Sequence, residues 1–182
     1  MRKQAITGFI VVILWLMLAA VPASAAMDNY VVLKGGYLSP TGGGFQNLDL
    51  NGNTYWEIAS GSDGKFFGAE FGVGYLQTNN SKVDVYAIPV LLSGKLRIPI
   101  ALFVPYLKAG GGAYFFNGSS KTGQGSDSTV AWGYQAGGGI DFQLGPLILG
   151  IEAKYIAVNA SLNMGSVKVE GVITTGNIGL RF

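Results

Sequence analysis

The chain of 182 residues has only 12% charged side chains against 49% hydrophobic ones, with 29 glycines and neither histidine nor cysteine. About a quarter of a soluble domain is normally charged, so this composition disfavours an ordinary soluble globule, while its aromatic and β-branched content argues against disorder. The missing residue types exclude Ser–His and Cys–His nucleophile pairs, the usual zinc sites, disulfides and a lipid-anchored cysteine.

The first stretch reads as a leader. Basic "MRKQ" precedes the apolar run "AITGFIVVILWLMLAAV", and "PASAA" follows with Ala23 and Ala25 in an A-x-A arrangement. That order is a secretory signal peptide, expected over residues 1–26 and cleaved after Ala25 or Ala26. Without Arg2 and Lys3 the remaining ten basic residues match the ten acidic ones. A neutral domain has no electrostatic footprint for nucleic acid.

Residues 27–182 are expected to form one domain. No window there has a helical period, and apolar and polar residues alternate in eight segments. They span 30–39, 53–60, 65–77, 83–98, 102–116, 128–144, 147–158 and 168–182. The connections alternate between long ("PTGGGFQNLDLNG", "TNNSK", "NGSSKTGQGSD", "NASLNMGSV") and short ("GSDG", "PIA", "GP"). Long outer loops and short periplasmic turns are the pattern of an up-and-down barrel in an outer membrane.

The two faces of each segment carry the argument further. In the seventh, Leu147, Leu149, Ile151, Ala153 and Tyr155 oppose Ile148, Gly150, Glu152, Lys154 and Ile156. In the sixth, Trp132, Tyr134, Ala136 and Ile140 oppose Gly133, Gln135, Gly137 and Asp141. A face of glycines and charges of both signs is a poor hydrophobic core but suits the polar interior of a membrane barrel. The bilayer demands closure, because an open sheet edge in hydrocarbon leaves backbone groups unpaired. The expected fold is all-β: an eight-stranded antiparallel up-and-down transmembrane β-barrel.

The same alternation points Lys34, Glu57, Glu70, Lys95, Arg97, Lys108, Gln135, Asp141, Glu152, Lys154 and Arg181 inward. Eight strands leave an interior just wide enough to be filled by side chains, so these charges are expected to pair as a plug. A narrow ion path is the other reading of the same residues. Tyr37, Trp56, Phe67, Tyr75, Tyr86, Trp132, Tyr134, Tyr155 and Phe182 share the outward phase and are expected to form interfacial aromatic girdles.

No catalytic, cofactor or metal site emerges. "DLNGNT" places Asp49, Asn51 and Asn53 as in a calcium loop, but Thr54 replaces the required glycine and Ser60 the bidentate Glu. "GSSKTGQG" lacks the order of a phosphate-binding loop. The inward carboxylates have no substrate access in a filled barrel, so a non-enzymatic protein is expected.

"PYLKAGGGAYFF", "GYQAGGGIDFQL", "GIEAKYIAV" and the closing "GNIGLRF" resemble the fifth to eighth strands of the small outer-membrane β-barrel family, which includes OmpA-like and opacity-type surface proteins. The resemblance covers most of residues 27–182, most strongly from residue 83. It implies outer-membrane localisation, and insertion by the barrel-assembly machinery through a terminal strand ending in an aromatic: here Ile178, Leu180 and Phe182. It implies no single activity, since members act as structural barrels, adhesins and small channels. In the usual terminal signal a glycine stands five residues before the last aromatic; Asn177 stands there, with Gly176 adjacent. Lipid A-modifying barrels use histidine, which this chain lacks.

The expectation is therefore a monomeric barrel contacting outer-membrane lipid, with a structural or adhesin-like role through its external loops and an extracellular ligand of unknown identity. The alternative is a small passive channel for ions or small hydrophobic molecules.

Overall fold

The computed structural model describes residues 27–41, 51–79, 83–120, 126–162 and 165–182. The expected leader, residues 1–26, lies outside them, as do Phe45 and Leu48 of the first long connection and most of "GSSKTGQG". Eight strands follow one another: β1 (Asp28–Pro40), β2 (Asn51–Asp63), β3 (Phe67–Asn79), β4 (Val83–Arg97), β5 (Phe103–Ser120), β6 (Ser126–Leu144), β7 (Leu147–Leu162) and β8 (Gly165–Arg181). Each pairs antiparallel with the next, and β8 returns to β1 to close the barrel. The closing seam pairs Tyr30 with Arg181 and runs to Pro40 opposite Gly171. Closure removes the sheet edge that a bilayer would not tolerate.

The end that holds Asp28, Phe182 and the turns 64–66, 98–102 and 145–146 is called lower here, and the opposite end upper. At the upper end the strands run further than expected. The fifth reaches Ser120 rather than 116, the seventh Leu162 rather than 158, and the eighth begins at Gly165 rather than 168. Only residues 80–82 and 163–164 separate β3 from β4 and β7 from β8. The contrast between long and short connections is thus much weaker than the segments suggested. Asn, Ser and Gly are turn signals in the sequence, yet a backbone ladder in water continues through polar residues as long as the partner strand continues too.

At the lower end β2 continues to Asp63 rather than 60, and β3 starts at Phe67 rather than 65. In β4, Pro89 has no N–H to offer the ladder. The β3–β4 register lapses there, between Val73 opposite Val90 and Leu76 opposite Ala87. The Pro89 ring packs on Gly74, where a Cβ would sit 2.9 Å from it.

Polarity is inverted relative to a soluble protein. Trp132 is 77% exposed and Ile151 64%, whereas Lys34 and Lys154 are 1% exposed. A soluble fold leaves large apolar groups scattered singly on its surface. Here they cover the barrel wall, as a bilayer requires.

Candidate functional site: the filled barrel interior

Inward-facing positions of five strands bring six charges into one layer. Lys34 comes from β1, Glu57 from β2, Glu70 from β3, Lys108 from β5, and Glu152 with Lys154 from β7. Lys34 Nζ lies at the hub, 2.6 Å from Glu70, 3.0 Å from Glu152 and 3.2 Å from Glu57. Lys108 bridges Glu70 at 3.0 Å and Glu152 at 2.8 Å. Lys154 lies 2.6 Å from Glu57 and 3.6 Å from Glu152. Every carboxylate therefore meets at least two ammonium groups, the condition under which a buried charge is tolerable.

Tyrosine hydroxyls take up what the lysines leave. Tyr30 donates to Glu70 at 2.8 Å and Tyr106 to Glu152 at 2.9 Å, while Tyr55 donates to Glu57. The Lys95 ammonium lies 3.7 Å from Glu70 and 3.8 Å from Asp141, over the rings of Tyr30 and Tyr106. Cations so placed gain from the ring quadrupole as well as from the carboxylates. Gln135 donates to Ser93 at 2.8 Å.

The glycines of β6 make the layer possible. A Cβ at Gly139 would stand 2.6 Å from the Tyr106 hydroxyl, and one at Gly137 only 2.8 Å from the Lys154 Cβ. Absent side chains on one strand are what admit the long side chains of its neighbours.

Below the layer, a small apolar cluster of Tyr30, Val32, Ala59 and Ile148 leads to the lower mouth. There Arg97 Nε lies 3.2 Å from Asp63, and its Nη1 donates to the Gly64 carbonyl at 2.9 Å. The space bounded by Tyr30, Asp63, Lys95, Tyr106 and Asp141 is about 10 Å³, on the order of one water. Above the layer the lining changes character. Leu38, Leu76, Leu91, Tyr114, Phe116, Ile156, Val158, Val169 and Ile173 form one buried apolar cluster.

All eleven inward-assigned residues except Arg181 are buried. Arg181 sits at the lower mouth, its side chain 21% exposed and 3.4 Å from the exposed Asp28. Two features depart from the sequence expectation. Asp63 is buried although it sits in a turn-like "GSDG", which makes the buried ions five cations (Lys34, Lys95, Arg97, Lys108, Lys154) and five anions (Glu57, Asp63, Glu70, Asp141, Glu152) among the described residues. The upper interior is apolar rather than uniformly charged. Tyr30, Tyr55, Tyr106 and Tyr114 were also not singled out, although Tyr55, Tyr106 and Tyr114 share the inward phase of Glu57, Lys108 and Gly110.

On the outside, Tyr37, Trp56, Phe67, Tyr75, Tyr86, Trp132, Tyr134, Tyr155 and Phe182 are all exposed, as are Ile178 and Leu180. Phe67 and Phe182 lie at the lower rim. The other seven form a second row roughly 20 Å higher, at 3.3 Å per residue and a tilt of about 40°. That row lies within the strands rather than at their upper ends, because the strands continue beyond it.

No family model and no curated protein matches this chain. Solved structures do. Neisserial surface protein A aligns with 87% of this chain and 98% of its own at 15% identity, with a TM-score of 0.61. The outer membrane protein OprG from Pseudomonas aeruginosa gives 86%, 96%, 14% and 0.63 in the same terms. Ail, the attachment invasion locus protein of Yersinia pestis, gives 87%, 100%, 15% and 0.54. Identities this low speak for the fold. With its apolar wall around a charged interior, the chain has the fold of the small outer-membrane β-barrels.

Proposed function

We propose that this protein is a non-enzymatic barrel that acts at the cell surface, as a structural or adhesin-like element, and does not serve as a pore. The observation that carries this reading is the double seal of the interior: a neutral ion layer in the lower half and an apolar cluster in the upper half. A hydrated ion would have to displace several ion pairs and then cross a dry apolar segment. The carboxylates that could have served acid–base chemistry are engaged by lysines and tyrosines, which favours a structural role for them.

With the interior closed, contact with the environment falls to the upper rim and its connections. The upper strand ends then face outward, and the lower turns face the periplasm. Among the structural neighbours, Ail has been solved in complex with the heparin analogue sucrose octasulfate, so sulfated glycan belongs among the surfaces to be tried. The Ile178, Leu180 and Phe182 strand end serves as the insertion signal read by the barrel-assembly machinery, and the two aromatic rows mark the membrane interfaces.

The test is attachment. Cells displaying this barrel are applied to surfaces coated with matrix protein or sulfated glycan, beside cells whose barrel carries short Gly-Ser segments in place of 42–50 and 121–125. Attachment that depends on those segments, with unchanged heat-modifiable gel mobility, is the expected result. Equal attachment by both would remove the surface-contact reading.

A further inference from the structure

The β4–β5 turn is unlike the other two lower turns. The β2–β3 turn is built of Gly64, Lys65 and Phe66 after a polar strand end, and the β6–β7 turn is Gly145–Pro146. Between Arg97 and Val104 the chain instead reads Ile98, Pro99, Ile100, Ala101, Leu102, Phe103, with no polar side chain at all. Ile98 is 57% exposed, Ile100 60% and Phe103 55%, and Phe66 and Phe67 are exposed beside them. A turn standing in water has no use for such a surface, and turns in water are rich in Gly, Asn, Asp and Ser.

We propose that this turn is an anchor sunk in the periplasmic leaflet of the bilayer, its occupant the headgroup–acyl boundary of inner-leaflet phospholipid. The inference rests on the bilayer placement above and adds to it which side of the barrel reaches deepest.

Four observations carry it. The apolar surface is continuous with the lipid-facing wall, because Leu92, Leu96, Ile98 and Ile100 are outward positions on one chain path. The outward run from Tyr86 to Ile100 covers 14 residues. At about 3.3 Å per residue and a tilt of about 40° it rises roughly 35 Å. That exceeds the apolar band of about 25 Å but not a bilayer of about 40 Å with its headgroups. With Tyr86 at the upper interface, Ile100 falls among the lower headgroups rather than in bulk water.

Most of the turn's backbone is also paired, which lowers the cost of a lipid boundary and leaves the Ala101 and Leu102 N–H groups at the tip for the headgroups. Ile98 N–H donates to the Pro105 carbonyl at 2.9 Å, and Ile100 and Phe103 exchange bonds of 2.8 and 3.0 Å. The Leu102 carbonyl accepts from Gln143 N–H at 2.9 Å, and Pro99 has no N–H to satisfy. Finally, the neighbouring turn is tied on by an Arg97 N–H bond of 2.7 Å to the Phe66 carbonyl. It brings the Lys65 ammonium, 5.3 Å from the Phe66 ring. A cation above an apolar wedge suits lipid phosphate at that depth.

The chain has no cysteine, so a single one labels cleanly. Full-length barrel carrying Ile100→Cys, Leu107→Cys or Pro146→Cys is labelled with a nitrobenzoxadiazole dye. Each is folded into vesicles of phosphatidylethanolamine and phosphatidylglycerol at one barrel or fewer per vesicle, and Leu102→Cys replaces Ile100→Cys should the latter not fold. Spin-labelled lipid should quench position 100 about threefold more than position 146, and aqueous iodide should show the reverse order, as for a residue in the interface. Position 100 behaving like 146 while 107 is quenched by lipid overturns the anchor alone. Position 107 open to iodide overturns the bilayer placement itself. Lipid-like protection at 100 that appears only with several barrels per vesicle assigns the turn to a second copy and also overturns the anchor.

Discussion

The two halves of the barrel interior solve the same packing problem with opposite chemistry. The lower half fills its width with six interlocked charges from five strands, every one of which depends on the others. The upper half fills it with Leu, Ile, Val and aromatic side chains that depend only on shape. An ion layer is intolerant of losing one member, because the partners remain buried and charged; an apolar layer loses only the contacts removed. Mutual dependence suits the ion layer to discriminating against a shifted register, whereas the apolar layer contributes burial alone.

That contrast can be broken at graded cost. Lys34→Met should be the most damaging change, since it leaves Glu57, Glu70 and Glu152 each short of a cation. A loss of about 3–5 kcal/mol is expected, read from urea unfolding of vesicle-inserted protein by tryptophan fluorescence. Leu91→Ala in the apolar half should cost about 2–4 kcal/mol in the same assay, a cavity without an orphaned charge. Tyr55→Phe removes the hydroxyl that donates to Glu57 and accepts from Lys154 at 3.1 Å. It should cost about 1–2 kcal/mol while both ions keep other partners.

Tyr114→Phe sharpens the comparison with a change of sign. The Tyr114 hydroxyl is buried in the apolar half with no hydrogen-bond partner among the described residues. Removing it should leave stability unchanged or raise it by up to about 1 kcal/mol. A loss as large as that of Tyr55→Phe would mean that the upper half is not the dry packing layer described here.

Much of this was legible in the residues, and the reasons for the gaps are specific. Strict alternation in a membrane barrel assigns Lys34, Glu57, Glu152 and Lys154 to one face without knowledge of any partner, because period two is enforced by the pleat. Asp63 lies beyond the expected segment 53–60, where "GSDG" reads as a turn, while Tyr30 shares the inward phase of Lys34 but carries no charge to mark it. The apolar upper cluster was hidden for another reason. Leu38, Leu76, Leu91 and Phe116 share the inward phase with the charged residues of their strands. A face judged by its charges as a whole does not reveal that the charges occupy one level and the aliphatics another. That sorting by height follows from the shear of the barrel, which single strands do not display. The pairings within the ion layer, such as Lys34 with Glu152 118 residues away, follow only from closure.

The central claim is that these two layers together close the interior. Single-barrel recordings in planar bilayers at high potassium chloride test it most directly. A flat baseline is expected for the wild-type barrel across the voltages the bilayer withstands. Stable, stepwise openings from folded wild-type protein would contradict it, and would mean that the ion layer and the apolar cluster move aside together.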